Sequence, residues 1–232
     1  MKVPTPKAST GVPKRVLVYV VWFALAVMLL SRISFNVVDP DIFHEMALIR
    51  EGLVLGHIPT VDHFSYGPTH PYVVQHEWGS GVIAYFVATG FGAGGILLLK
   101  YLLAALLAWL CVATARSRDP DPLPALCWLA PIAIFFAGAA FSPVRGHLYS
   151  IVFTACLLYF LERDRRGDRR WIAIWLLLAV LWFNVHGGAF VGVLLIGAHA
   201  FEQLLRGSRW LHLLAVATGT LAAALVNPYG AR

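Results

Sequence analysis

The chain has 232 residues, 59% of them hydrophobic, and a mean hydropathy of +0.72; charged residues make up only 13%, about half the share of a soluble domain. Its net charge of +6 comes from short basic tracts beside apolar runs, the arrangement of a membrane protein rather than of a nucleic-acid binder. Three cysteines, Cys111, Cys127 and Cys156, all sit in apolar stretches and form neither a disulfide framework nor a metal pattern.

The N-terminal segment MKVPTPKASTGVPKR is basic, and the apolar run 16–33 follows it without a small-x-small cleavage site, so an uncleaved first helix is expected. Further apolar stretches cover 80–93, 94–115, 123–141, 148–161, 171–185, 188–205 and 210–226. The expected fold is all-α: one membrane domain over 1–232, a polytopic transmembrane bundle of about seven crossings plus a short interfacial or re-entrant helix. The lipid bilayer is its first expected partner, and the resemblance given below implies that this bilayer is the bacterial inner membrane. The basic tracts Lys2–Arg15, Glu162–Arg170 and Leu205–Arg209 should be cytoplasmic, the N-terminus with them. Parity then puts the 35–79 loop, SPVRGHLYS at 142–150, NVHGG at 184–188 and NPYG at 227–230 together on the outer face. Parity also requires an even number of crossings between that loop and Ser142. The glycine-rich 80–93 stretch is therefore expected to be interfacial or re-entrant, with 94–115 crossing. Lys100 inside that crossing should snorkel or face a cavity.

The 35–79 loop concentrates the titratable chemistry, with six of the twelve acids and five of the nine histidines. Charge is costly inside a bilayer, so such a loop is expected to carry the candidate active site at the membrane surface. Residues 41–56 read as an amphipathic helix: Pro40 precedes it, Asp41 can cap it and Gly56 can close it. Ile42, Met46, Ile49 and Leu53 form its apolar stripe, leaving His44, Glu45 and Glu51 elsewhere. The proline-rich 57–72 stretch should be an ordered loop.

Several groups could do chemistry. Asp39 and Asp41 could act as a general base, hold a cation or orient a hydroxyl; on spacing alone the plainer account is that Asp41 caps a helix and Asp39 is a surface charge. His44, one turn on, could share a metal with Asp41 or make a charged hydrogen bond. Asp62 is a candidate substrate-binding group or a turn residue, and His76 and Glu77 are candidate substrate contacts or headgroup contacts beside the interface anchor Trp78. Arg145 and His147 suit a phosphate, in substrate or lipid. Asn184 and His186, candidate substrate-binding groups or plain helix-end polar groups, end one helix beside the permissive pair Gly187–Gly188. His57, His70, His199 and His212 carry no constellation.

The 39–87 run resembles the first outer loop of a bacterial family of integral-membrane glycosyltransferases. Asp39, Asp41, His44, Gly52, Ile58, Pro59, Asp62, Phe64, Ser65, Tyr66, His76, Glu77 and Trp78 carry the likeness. R-x-H-L-x-S at 145–150, W-x-N-x-H-G-G at 182–188 and N-P-Y-G at 227–230 follow in the same order. That family in turn resembles the C-type glycosyltransferases, which implies a multi-helix membrane fold, a polyprenyl-phosphate sugar donor and an outer-loop acid as catalytic base or metal ligand. Asp39 or Asp41 would take that role, and Arg145, His147 or His186 would serve the lipid-phosphate or metal site. A divalent cation, Mg or Mn, would be the cofactor, with Asp41 and His44 as ligands. Such proteins continue beyond this point, so the chain's end at Arg232 suggests a truncated or minimal member. Two other expectations compete: a non-catalytic subunit of a larger membrane complex, and a transporter or lipid-binding protein. The enzyme alone requires Asp39 or Asp41, Arg145 and His186 to converge on one outward cavity.

Overall fold

The computed structural model describes residues 13–64 and 74–229. Among them the elements run α1 (Lys14–Ile33), β1 (Val37–Val38), α2 (Pro40–Leu55), α3 (Trp78–Arg118), α4 (Leu123–Ala140), β2 (Pro143–Val144), α5 (His147–Asp164), α6 (Trp171–Val185), a 3-10 turn (Gly187–Ala189), α7 (Phe190–Leu205) and α8 (Leu211–Ala223). The fold is therefore all-helical apart from one two-residue strand pair. Four stretches are long and apolar enough to cross a membrane: Arg15–Ile33, Trp78–Arg118, Leu123–Ala140 and Gly187–Leu205. Helices α6 and α8 are apolar but shorter, and α5 ends in the charged Glu162-Arg163-Asp164. The expectation of about seven crossings is met only as far as those four spans. Large apolar side chains stand open to the surroundings, Trp128 at 81% and Leu177 at 74%, as lipid-facing residues do rather than water-facing ones.

The chain packs as two units. One pairs α1 with α4, where the Arg32 guanidinium lies 4.7 Å from the centre of the Phe135 ring. The other holds every remaining element. Its core is aromatic: Phe153 stacks on Trp182 at 5.5 Å, Trp182 meets Trp175 edge-on, and the Trp175 indole N–H donates to Thr220 Oγ1 at 3.0 Å. Gly192 admits the two indoles; a Cβ there would lie 3.0 Å from Trp182 and 3.2 Å from Trp175. These contacts tie α5, α6, α7 and α8 together, and both ends of that bundle carry polar clusters.

Helix α3 is two helices. Gly92 adopts φ 64°, ψ −160°, a conformation essentially confined to glycine. The chain doubles back there: a Cβ on Gly95 would touch Val87 at 3.0 Å, and Ser80 and Ala84 share one crevice with Ile96 and Lys100. Residues 93–118 then run alongside α5, with Lys100 near Tyr149 at one end and Arg118 bonded to Glu162 at the other. Lys100 is wholly buried; in this packing it faces a crevice rather than snorkelling.

Two details of α2 differ from the sequence reading. Its cap is Asp39, whose Oδ1 accepts from the Asp41 amide at 3.0 Å with Pro40 at the first helical position; proline's missing N–H costs nothing there. Gly56 closes it at φ 72°, as the sequence requires. The buried face is Ile42, Glu45 and Leu48, so Glu45 points into the protein while Leu53 is exposed. The packed face is turned from the stripe because α2 lies on the small residues of α3: at Gly81 a Cβ would meet Glu45 Cβ at 3.0 Å.

Candidate functional site

The strand pair positions the first aspartate. β1 and β2 run parallel with Val37 opposite Pro143 and Val38 opposite Val144, and the Asp39 amide continues the ladder to the Val144 carbonyl at 3.1 Å. The next residue on that side is Arg145. Its guanidinium spans both acids, 3.6 Å from Asp39 Oδ2 and 3.4 Å from Asp41 Oδ2. These separations are ion pairs rather than tight hydrogen bonds, so the fork retains donors for an anionic guest. Asp39 is committed to capping α2, whereas Asp41, with a side chain 64% exposed, is open. A cavity of about 280 Å³ lies beside them, lined by Asp41, His44, Glu45, Gln75, His76, Glu77 and Arg145.

Behind the cavity runs a hydrogen-bonded chain from four parts of the sequence. The Trp182 indole N–H donates to Ser150 Oγ at 2.7 Å, and Ser150 lies 2.7 Å from His186 Nδ1. That same nitrogen accepts from the Gly188 amide at 2.9 Å. An accepting Nδ1 places the proton of neutral His186 on Nε2, which faces Glu77 Oε1 at 3.3 Å. Burial and the nearby His147, His76 and Arg145 push His186 below the usual imidazole range, Glu77 opposing them. Glu77 in turn meets Glu45, which accepts from Ser80 Oγ at 2.5 Å. Desolvation, helped by Glu77 and Asp41, raises the Glu45 carboxyl to about 8. Burial beside a second carboxyl disfavours the charged form of Glu45, which therefore keeps its proton at neutral pH.

Of the residues singled out in the sequence, Asp39, Asp41, His76, Glu77, Arg145 and His186 thus converge at one end of α5–α8. His147 heads α5 within electrostatic reach of His186. Asn184 acts as a tie: Oδ1 accepts from the Trp78 indole at 2.7 Å and Nδ2 donates to the Val180 and Val226 carbonyls. Asp62 holds a turn through the Phe64 amide and binds His44 Nε2 at 2.9 Å. His44 therefore has a carboxylate partner other than Asp41, and among the described residues no group of three or more His, Cys, Asp or Glu side chains is placed to hold a metal. Ser65, Tyr66, His70 and Gly230 lie outside the described residues. Sequence reasoning missed Glu45, Ser80, Ser150 and Trp182. The last two stand inside the R-x-H-L-x-S and W-x-N-x-H-G-G runs, which were the available signal.

No family profile matches the chain, and neither a curated protein nor a solved structure matches it.

Proposed function

We propose that the chain is a membrane glycosyltransferase that moves a sugar from a polyprenyl-phosphate donor to an acceptor hydroxyl on the outer face of the bacterial inner membrane, its N-terminus in the cytoplasm. The observation that supports this most is Arg145 held between Asp39 and Asp41 at the mouth of a polar cavity, an anion clamp touching a solvent-open carboxylate. In this reading Asp41 takes the acceptor hydroxyl's proton as the oxygen attacks the anomeric carbon. The bond from that carbon to phosphate oxygen breaks, and the polyprenyl phosphate leaves with its charge against Arg145. Attack from the face opposite the leaving group inverts the anomeric centre. Glu77, kept against the Nε2–H of His186, and the neutral Glu45 carboxyl present donors and acceptors to the sugar hydroxyls. Of the two expected metal ligands, His44 is bonded to Asp62 and Asp41 faces Arg145, so in this reading Arg145 meets the charge of the leaving phosphate.

The test is an assay of the purified full chain in lipid nanodiscs with a panel of polyprenyl-phosphate sugars, with and without chelator. Asn caps a helix as well as Asp does, so an Asp39→Asn/Asp41→Asn protein should insert and melt like the parent. It should lose transfer by about a thousandfold, the scale of a general base. Unchanged turnover in that variant ends the proposal.

A further inference from the structure

The opposite end of the same bundle carries a second polar cluster. Asp164 is buried there and fully engaged: Oδ1 accepts from His212 Nε2 at 2.8 Å and from the Trp171 indole at 3.3 Å, and Oδ2 lies 3.3 Å from His199 Nε2. Arg165 is equally committed, one nitrogen on Glu162 at 2.9 Å and the other on Glu202 at 2.5 Å. Around this hydrogen-bonded node two tight turns, closed by Gly167 at φ 82° and Gly207 at φ 65°, frame a cavity of about 450 Å³. Its lining adds Arg169, Gln203, Ser208 and Arg209. Arg169 and Arg209 come from different turns, are exposed, and form no ion pair with any described residue. The lining therefore carries two guanidinium forks that no carboxylate of the described residues pairs directly.

We propose that this cavity binds the phosphate of an anionic phospholipid through Arg169 and Arg209. A planar fork matches phosphate oxygens two at a time. The neighbourhood selects a lipid over a free ion. Leu205 and Leu211, 73% and 69% exposed, flank the turn that carries Ser208 and Arg209, so acyl chains can run down α7 and α8 from a headgroup held in the cavity. Basic side chains at a membrane surface attract anionic lipid in this way. The site is independent of the glycosyl-transfer reading and stands on the end of the bundle away from Arg145.

The experiment uses the full chain in detergent, delipidated and titrated with phosphatidylglycerol, with bound lipid counted by native mass spectrometry. One phosphatidylglycerol should bind saturably. Arg169→Ala/Arg209→Ala should weaken it roughly thirtyfold, the combined effect of two basic contacts at an anionic surface. Arg169→Lys/Arg209→Lys, which keeps charge but loses the fork, should fall between. Both pairs should melt like the parent, since neither arginine supports another side chain. Equal binding by the alanine variant, or equally tight phosphatidylcholine, overturns the site. Displacement of phosphatidylglycerol by millimolar inorganic phosphate overturns its assignment to a lipid.

Discussion

Glu45 sits 5% exposed on the packed face of α2, with Ser80 donating to it and Glu77 alongside. Its carboxyl is raised from 4.5 to about 8, so the folded protein keeps a proton there that the unfolded chain releases above pH 4.5. Stability contributed by this group is full below pH 4.5 and is lost as pH rises toward 8, at up to about 1.4 kcal/mol per pH unit. Glu45→Gln mimics the protonated form. Melting curves from pH 5 to 9 should show the parent weakening across that window and the variant nearly flat, the variant melting higher at pH 9. Parallel slopes would show that Glu45 is already ionised in the fold. Two glycines nearby allow a second comparison. A Cβ on Gly79 would lie 2.6 Å from the backbone oxygen of Asn184, whereas one on Gly146 would lie 2.7 Å from Glu77 Oε2, the end of a flexible side chain. Gly79→Ala should cost about 2 kcal/mol in overpacking, because backbone must move. Gly146→Ala should cost less in stability but more in transfer, because it shifts Glu77 against His186.

The turn-back in α3 rests on one residue. Gly92 alone in the 90–95 run has a positive φ, while Cβ atoms on Gly90 and Gly94 would meet nothing within 4 Å. Gly92→Ala should lower the melting temperature by an amount equivalent to about 1–3 kcal/mol, and Gly90→Ala and Gly94→Ala should be neutral or stabilising through helix propensity. Equal effects at all three would place the bend elsewhere. The sequence announced a break in this stretch through glycine density and crossing parity, but not which glycine bends, because that depends on the ψ the folded chain demands. Helix α2 was legible in extent, from Pro40 and Gly56 at its ends. Its cap was displaced from Asp41 to Asp39, since the ladder to Val144 fixes Asp39 outside the helix. Its inward face was misread because Glu45 is satisfied by Ser80, 35 residues away. No periodicity could reveal β1–β2, a two-residue pairing, although that pairing delivers Arg145 to the aspartates.

Across the bundle of α5 to α8 the polar groups separate cleanly by end. Arg145, His147, Asn184 and His186 gather where α5 begins and α6 ends, and Arg118, Glu162, Asp164 and Glu202 where α5 ends and α7 finishes. Parity counting from basic tracts anticipated this partition, because arginine density marks one end and alternate helices must return to the other. The four residues that bind the site together stand in recognisable motifs, but their pairing, Trp182 to Ser150 and Trp78 to Asn184, is set by tertiary packing between segments far apart in the chain and could not be read from them. The separation makes the sidedness of the proposed reaction measurable. In a cysteine-free background with Cys111, Cys127 and Cys156 replaced by alanine, His76→Cys marks the Arg145 end, its parent side chain being 73% exposed. Ser208→Cys marks the arginine-rich end and is also exposed. A membrane-impermeant maleimide added to intact cells should label His76→Cys and leave Ser208→Cys untouched until the membrane is opened, since loops rich in Arg stay cytoplasmic. The reverse pattern would put the carboxylates and Arg145 in the cytoplasm, where the proposed outer-face donor and acceptor are absent, and would end the glycosyl-transfer reading while leaving the hydrogen-bonded architecture of the site intact.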